Sequence, residues 1–362
     1  VGYLKRNWLG DDGSAVGTES TSQFAIVAGM AVHRGPISGI VASPDGDRLL
    51  LSNYRDHSVS IIDTGTWAGV RTITGINEPF TIAMSPADPR HAYLSTVSPA
   101  YDAIAVVDLE TDSVVAAHPV ALTVTDLAVD SDGRRIYVSR TAASGADVAV
   151  LDSATGRVEA IDIGARAGTT AGCLRITPDG LVYTATQRAA GGEVVVIDAR
   201  RQRVVDTIEI GCAIRDIAIS PDGATAYIAS SGVGFGAVID VVDTRSNKII
   251  STRKLGETGA LVTQLVLSSD GDRAYLVGED RISVLCPLTQ DVVATITVGR
   301  QPSCVAESPG GHYLYVGDYS GAVTVVSIDS AAAAPRLPGE DNRTRRSGLG
   351  RHALPQLEPA LT

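Results

Sequence analysis

Residues 214–244 read IRDIAISPDGATAYIASSGVGFGAVIDVVDT, and this stretch decides the fold. Residues 214–220 (IRDIAIS) form an apolar-rich strand, and Pro221-Asp222-Gly223 turns the chain, with the glycine free to take positive φ. Residues 224–230 (ATAYIAS) make a second strand, a longer loop over 231–236 follows, and 237–243 (AVIDVVD) makes a third. Thr244-Arg245-Ser246 turns again into a more polar fourth strand over 247–255 (NKIISTRKL). Four short strands in succession, rich in β-branched residues and punctuated by turn formers, describe an antiparallel meander.

The pattern occurs seven times. Its Ser-Pro-Asp-Gly-type turns begin at Ser43, Ser85, Asp130, Thr177, Ser220, Ser268 and Ser308, with spacings of 42, 45, 47, 43, 48 and 40 residues that suit one propeller blade per repeat. A length of 362 residues would by itself suggest two or three domains. The repeat overrides this, because each blade buries its faces only against its neighbours. The expected fold is all-β: one seven-bladed β-propeller over residues 23–330, built of four-stranded antiparallel blades. The seventh repeat stops at Ile328 without a fourth strand, and a spare strand-like run over 24–32 (FAIVAGMAV) precedes the first repeat. That N-terminal strand is expected to close the last blade and remove an exposed edge. Outside the ring lie an N-terminal extension, 1–22, and a Pro-, Gly- and Arg-rich tail, 331–362, whose composition reads as disorder.

Composition narrows the partners. A net charge of -11 argues against nucleic acid and anionic membrane surfaces, which select basic proteins. No stretch is long and apolar enough to span a bilayer. The opening VGYLKRNWLGDDG has basic residues without an apolar run after them, so the chain as written carries no signal peptide and reads on that ground as cytoplasmic. The four cysteines, Cys173, Cys212, Cys286 and Cys304, have no zinc spacing and are too sparse for a disulfide framework.

The phrases SPDGDRLLLSNYRDHSVSIIDT (43–64) and SPDGATAYIAS with VIDVVDT resemble the YVTN-type β-propeller repeats of bacterial and archaeal surface-layer proteins. The resemblance covers roughly residues 24–328. It implies a seven-bladed ring and a binding role at the cell envelope or outside the cell, and no single activity. No Gly-His/Trp-Asp pair recurs, which separates the chain from WD40 repeats.

Comparison among the repeats sorts scaffold from site. Tyr93, Tyr137, Tyr183, Tyr227, Tyr275 and Tyr315 recur in second strands and are expected to pack. Asp63, Asp108, Asp152, Asp198 and Asp243 end third strands and are expected to cap turns. First strands should line the central channel, and alignment places Gly39, Thr81, Asp126, Cys173, Asp216, Gln264 and Cys304 at one equivalent position. Asp126, Cys173, Asp216 and Gln264, with Arg215 beside them, therefore form a polar arc at the channel mouth. No cofactor motif is evident, but Asp126 and Asp216 are the metal candidates: two carboxylates and an amide oxygen could hold a hard cation such as calcium. The plainer alternative is that strand amides, Thr125, Thr263 or Arg215 neutralise both carboxylates. The loops of one face collect Tyr54, Arg55, His57, Phe80, Tyr101, Arg140, Arg188, Phe235 and Tyr319, a mixture of aromatics and arginine that suits binding to a protein or glycan partner.

No GxSxG, HExxH or P-loop pattern is present, and no catalytic residue is nominated. The leading expectation is a non-enzymatic binding or scaffold module that presents its loop face to a protein, glycan or cell-envelope partner. The alternative is a lactonase-like hydrolase in which Asp126 and Asp216 hold a cation or act as general base and Arg215 positions an anionic substrate.

Overall fold

In the computed structural model the described residues are 23–328 except 33, 99, 121–122, 233–235, 257–261 and 300, so the expected extension 1–22 and tail 331–362 lie outside them. They form seven four-stranded antiparallel sheets. In the blade read above, here blade five, the strands are Ala213–Ile219, Thr225–Gly232, Gly236–Asp243 and Lys248–Gly256, within two residues of expectation. No helix among the described residues is long and apolar enough to cross a membrane.

Local chemistry makes the turns. Ser220 Oγ donates to Asp222 Oδ1 at 2.6 Å, and that carboxylate accepts from the Ala224 amide at 3.0 Å. Gly223 takes φ of 72°, a conformation that a side chain would strain. At the other end of the blade Asp243 accepts from both the amide and the hydroxyl of Ser246, at 2.8 and 2.7 Å. Asp63, Asp108, Asp152 and Asp198 cap equivalent turns.

Burial follows the ring. Seven apolar clusters occur among the described residues, and each combines two consecutive blades. The recurring tyrosines are buried within them. Tyr183 donates its hydroxyl to Asn247 of the next blade at 2.6 Å, and Tyr275 donates to Glu307 of the next at 2.9 Å. A blade separated from its neighbours would expose these faces, so the ring is the folding unit.

Closure takes the expected form. Strand Phe24–Ala31 pairs antiparallel with Ala322–Ile328, from Phe24 opposite Ile328 to Ala31 opposite Ala322, and becomes the outer strand of blade seven. Trp67, in a turn of blade one, meets Tyr313 of blade seven edge-on with ring centroids 5.3 Å apart.

Candidate functional site

The inner strands enclose a cavity of about 920 Å³ on the ring axis. In five blades the inner strand bulges just ahead of the aligned position, between Ile37 and Gly39, Val124 and Asp126, Ala171 and Leu174, Ile214 and Asp216, and Pro302 and Cys304. A bulge re-aims the side chain beside it. In blades three and five it turns the aspartate toward the next blade, whereas Gln264 reaches its neighbour from a strand without a bulge. Asp126 accepts from the amide of Leu174 at 2.9 Å, Asp216 from Leu265 at 2.9 Å, and Gln264 from Val305 at 2.7 Å. These three amides are themselves equivalent, one residue past the aligned position. The arc of Asp126, Asp216 and Gln264 is therefore a set of clips between neighbouring inner strands.

Between the two carboxylates stands Arg175. It donates to Asp126 Oδ2 at 2.7 Å and to Asp216 Oδ1 at 2.6 Å, joining blades three, four and five. Thr81 adds a hydrogen bond to Asp126 at 2.9 Å. Burial opposes the charge on Arg175, but Asp216 and Asp126 outweigh it and hold its pKa above the ordinary value. Burial pushes the Asp216 carboxyl up to about 6, against the pull of Arg175 and of the Leu265 and Ile217 amides. A calcium ion here would have to displace Arg175 and recruit further oxygens, since calcium takes six to eight. Among the described residues no three of His, Cys, Asp and Glu gather as a metal centre would require.

Arg175 was not among the sequence candidates, although a signal for it exists. Two residues past the aligned position the other blades carry Val41, Ala83, Ala128, Ala218, Val266 and Ala306, and only blade four carries a charge. Of the neutralisers considered for Asp216, the strand amides of Ile217 and Leu265 do reach it, whereas Arg215 points its Nε at Ser231 Oγ, 2.8 Å away. Cys173 lines the cavity, and burial raises its thiol pKa well above the ordinary value. All four cysteines are free.

The loop-face candidates divide. Tyr54, Phe80 and Tyr319, on or leading into blades one, two and seven, line the mouth of the cavity and are 41%, 47% and 47% exposed. Tyr54 donates to Glu78 Oε2 at 2.9 Å, and the Glu78 amide donates to His57 Nδ1 at 3.0 Å. Arg55, Tyr101 and Arg188 are exposed but do not line the cavity, and Arg188 pairs with Glu193 at 2.9 Å. Arg140 is a correction: it is 7% exposed, bidentate to Asp147 at 2.8 Å and bonded to the Val120 carbonyl at 2.6 Å. Its strand continues past the expected loop and pairs Arg140 with Asp147 across a tight hairpin, which draws the guanidinium inward. Phe235 lies outside the described residues.

Comparison with known proteins agrees with the architecture. The chain is 46% identical over 374 residues to the seven-bladed beta-propeller protein Rv1057 of Mycobacterium tuberculosis, with 94% of each chain covered. It also resembles the solved Kuenenia stuttgartiensis hydrazine synthase, with a TM-score of 0.72 and 19% identity over 83% of this chain and 98% of that one. At that identity the likeness concerns the fold alone. No protein-family model matches the chain.

Proposed function

The chain belongs to the same seven-bladed β-propeller family as its mycobacterial relative, and from that membership we propose that it is a non-enzymatic binding module. Its partner is a protein or glycan of the cell envelope, met through the loop face, as the repeat's resemblance to YVTN-type surface-layer propellers suggests. The observation that carries this reading is the placement of Tyr54, Phe80 and Tyr319. Three large exposed aromatics stand together at the mouth of a cavity, on the side of blades seven, one and two. Exposed aromatics at a concave site are the anchors that binding surfaces favour. The polar groups deeper in the channel support the same reading, because they are engaged in joining blades.

A lactonase-like hydrolase has thinner support. Its best asset is Asp216, whose carboxyl near 6 would suit a general base. That carboxylate already accepts from Arg175, Ile217 and Leu265, so it would have to give up a blade contact to take a substrate proton.

The test compares immobilised wild-type protein with the F80S/Y319S variant for retention of solubilised envelope proteins and glycans from the native host. Retention by wild type that is lost in a variant with an unchanged melting curve is expected. Equal retention by both, or turnover of sugar lactones that D216N abolishes while the fold is kept, would overturn the proposal.

A further inference from the structure

Resting on the binding-module reading, we propose that the channel mouth takes a sugar acid, its ring lying on the aromatic side and its carboxylate held by Arg215. One residue before the aligned position the seven blades carry Ser38, Phe80, Thr125, Gly172, Arg215, Thr263 and Ser303. The four hydroxyls bond main-chain carbonyls, as Ser38 does to Pro79 and Ser303 does to Ile37, both at 2.8 Å. Phe80, Gly172 and Arg215 break that pattern, and of the three only Phe80 and Arg215 carry a side chain that can reach a ligand. They belong to blades two and five, three steps apart in a ring of seven, and so stand on opposite sides of the mouth.

Arg215 is built to receive an anion. Its Nε is fixed on Ser231, which leaves the two η nitrogens as an end-on fork, and it has no acidic partner among the described residues. Arg175, deeper in the same cavity, is by contrast held by two carboxylates. A single guanidinium matches one carboxylate in bidentate geometry.

The aromatic side is held in place by parts that the blades do not otherwise use. Among the described residues seven non-glycine residues have positive φ, and Trp67, Asp112, Gln202, Asn247 and Gln290 all lie in turns between third and fourth strands. His57 and Glu78 are the other two, at 50° and 40°, and both belong to the hydrogen-bonded set that fixes Tyr54. Strain outside the repeating scaffold marks a position over-determined by its surroundings. The negative face of an aromatic ring attracts the C–H face of a pyranose. Glu78, behind Tyr54, keeps that side negative and sends the carboxylate toward Arg215. A cavity of about 920 Å³ accommodates a short oligosaccharide.

Isothermal titration of the full chain with trigalacturonic acid, maltotriose and benzoate at low salt tests the inference. Trigalacturonic acid is expected to bind, with R215Q and F80S each weakening it by about tenfold, the scale of one lost charge-assisted or stacking contact. Maltotriose should bind wild type about tenfold more weakly. Both substituted side chains are exposed, so melting curves should not move. Unchanged affinity in R215Q, or equal binding of maltotriose, overturns the inference. Benzoate binding more tightly than trigalacturonic acid overturns the sugar and reassigns the site to an aromatic acid. Binding of none of the three overturns the inference while the Phe80- and Tyr319-dependent retention of an envelope partner still judges the binding-module reading separately.

Discussion

Arg175 of blade four donates to Asp216 of blade five at 2.6 Å, on the wall of the channel. The same guanidinium reaches back to Asp126 of blade three, so one side chain spans three blades. Its removal would leave two carboxylates facing each other, with the Asp216 side chain only 4% exposed. Breaking a buried pair from one side costs about 3–5 kcal/mol. With 30% of its own side chain exposed to the channel, R175M should lose about 2–3 kcal/mol, read from urea midpoints. The neutralised variant D126N/R175M/D216N should recover part of that loss. Equal loss in both variants would assign the effect to packing and not to charge.

Asp216 predicts an unusual pH response. Its native carboxyl lies near 6, above the ordinary 3.8, so the native state holds the extra proton between those values. The stability it contributes is fully present below 3.8 and is lost as the pH rises through 6. Glu307 and Asp240, also raised by burial, act in the same direction, so the comparison must be made against D216N. The melting temperature of wild type minus that of D216N should grow as the pH falls from about 7 to about 4. Parallel curves, or a difference that shrinks in acid, would show that Arg175 keeps Asp216 ionised throughout.

The ring was legible because its signals are local. Ser220 and Asp222 form a turn two residues apart, and seven such turns count the blades. The missing strand of blade seven and the spare run ahead of blade one could be matched by counting alone. Function-bearing geometry was less legible because it joins distant residues. Arg175 meets its partners 49 and 41 positions away, and no short motif joins them. Asp126, Asp216 and Gln264 could be placed at one position, but their role as clips needs a facing amide from the next blade and, for Asp126 and Asp216, a bulge, which is a register event. Arg140 looked like a loop residue because its partner Asp147 lies across the hairpin. Glu307 illustrates the same limit. Six blades carry an apolar residue or Met at its position, yet only the fold shows that it receives Tyr275 and the Ser269 amide.

Closure by the N-terminal strand predicts a sharp truncation boundary. A chain starting at residue 23 keeps all eight residues of Phe24–Ala31 and should melt like the full-length protein. A chain starting at residue 34 loses that strand and exposes the edge of Ala322–Ile328. It should melt about 10 °C lower and self-associate in size-exclusion chromatography. A monomeric chain with an unchanged melt would mean that the ring closes without this strand.

Gly39 ties the scaffold to the mouth. It occupies the aligned position in blade one, where a Cβ would lie 2.8 Å from the Phe80 carbonyl oxygen and 2.9 Å from Ser52 Oγ. Those two atoms are joined by a hydrogen bond of 2.7 Å from blade one to the segment that carries Phe80. G39A must push them apart, at a cost of about 1–3 kcal/mol for overpacking. Gly29, on the outer strand, has nothing within 4 Å of its would-be Cβ, so G29A serves as the control. The expected result is that G39A, unlike G29A, lowers the urea midpoint and also weakens partner retention, because Phe80 moves with its carbonyl. Lost stability with full retention would separate the clip from the mouth and leave Phe80 positioned by its own loop.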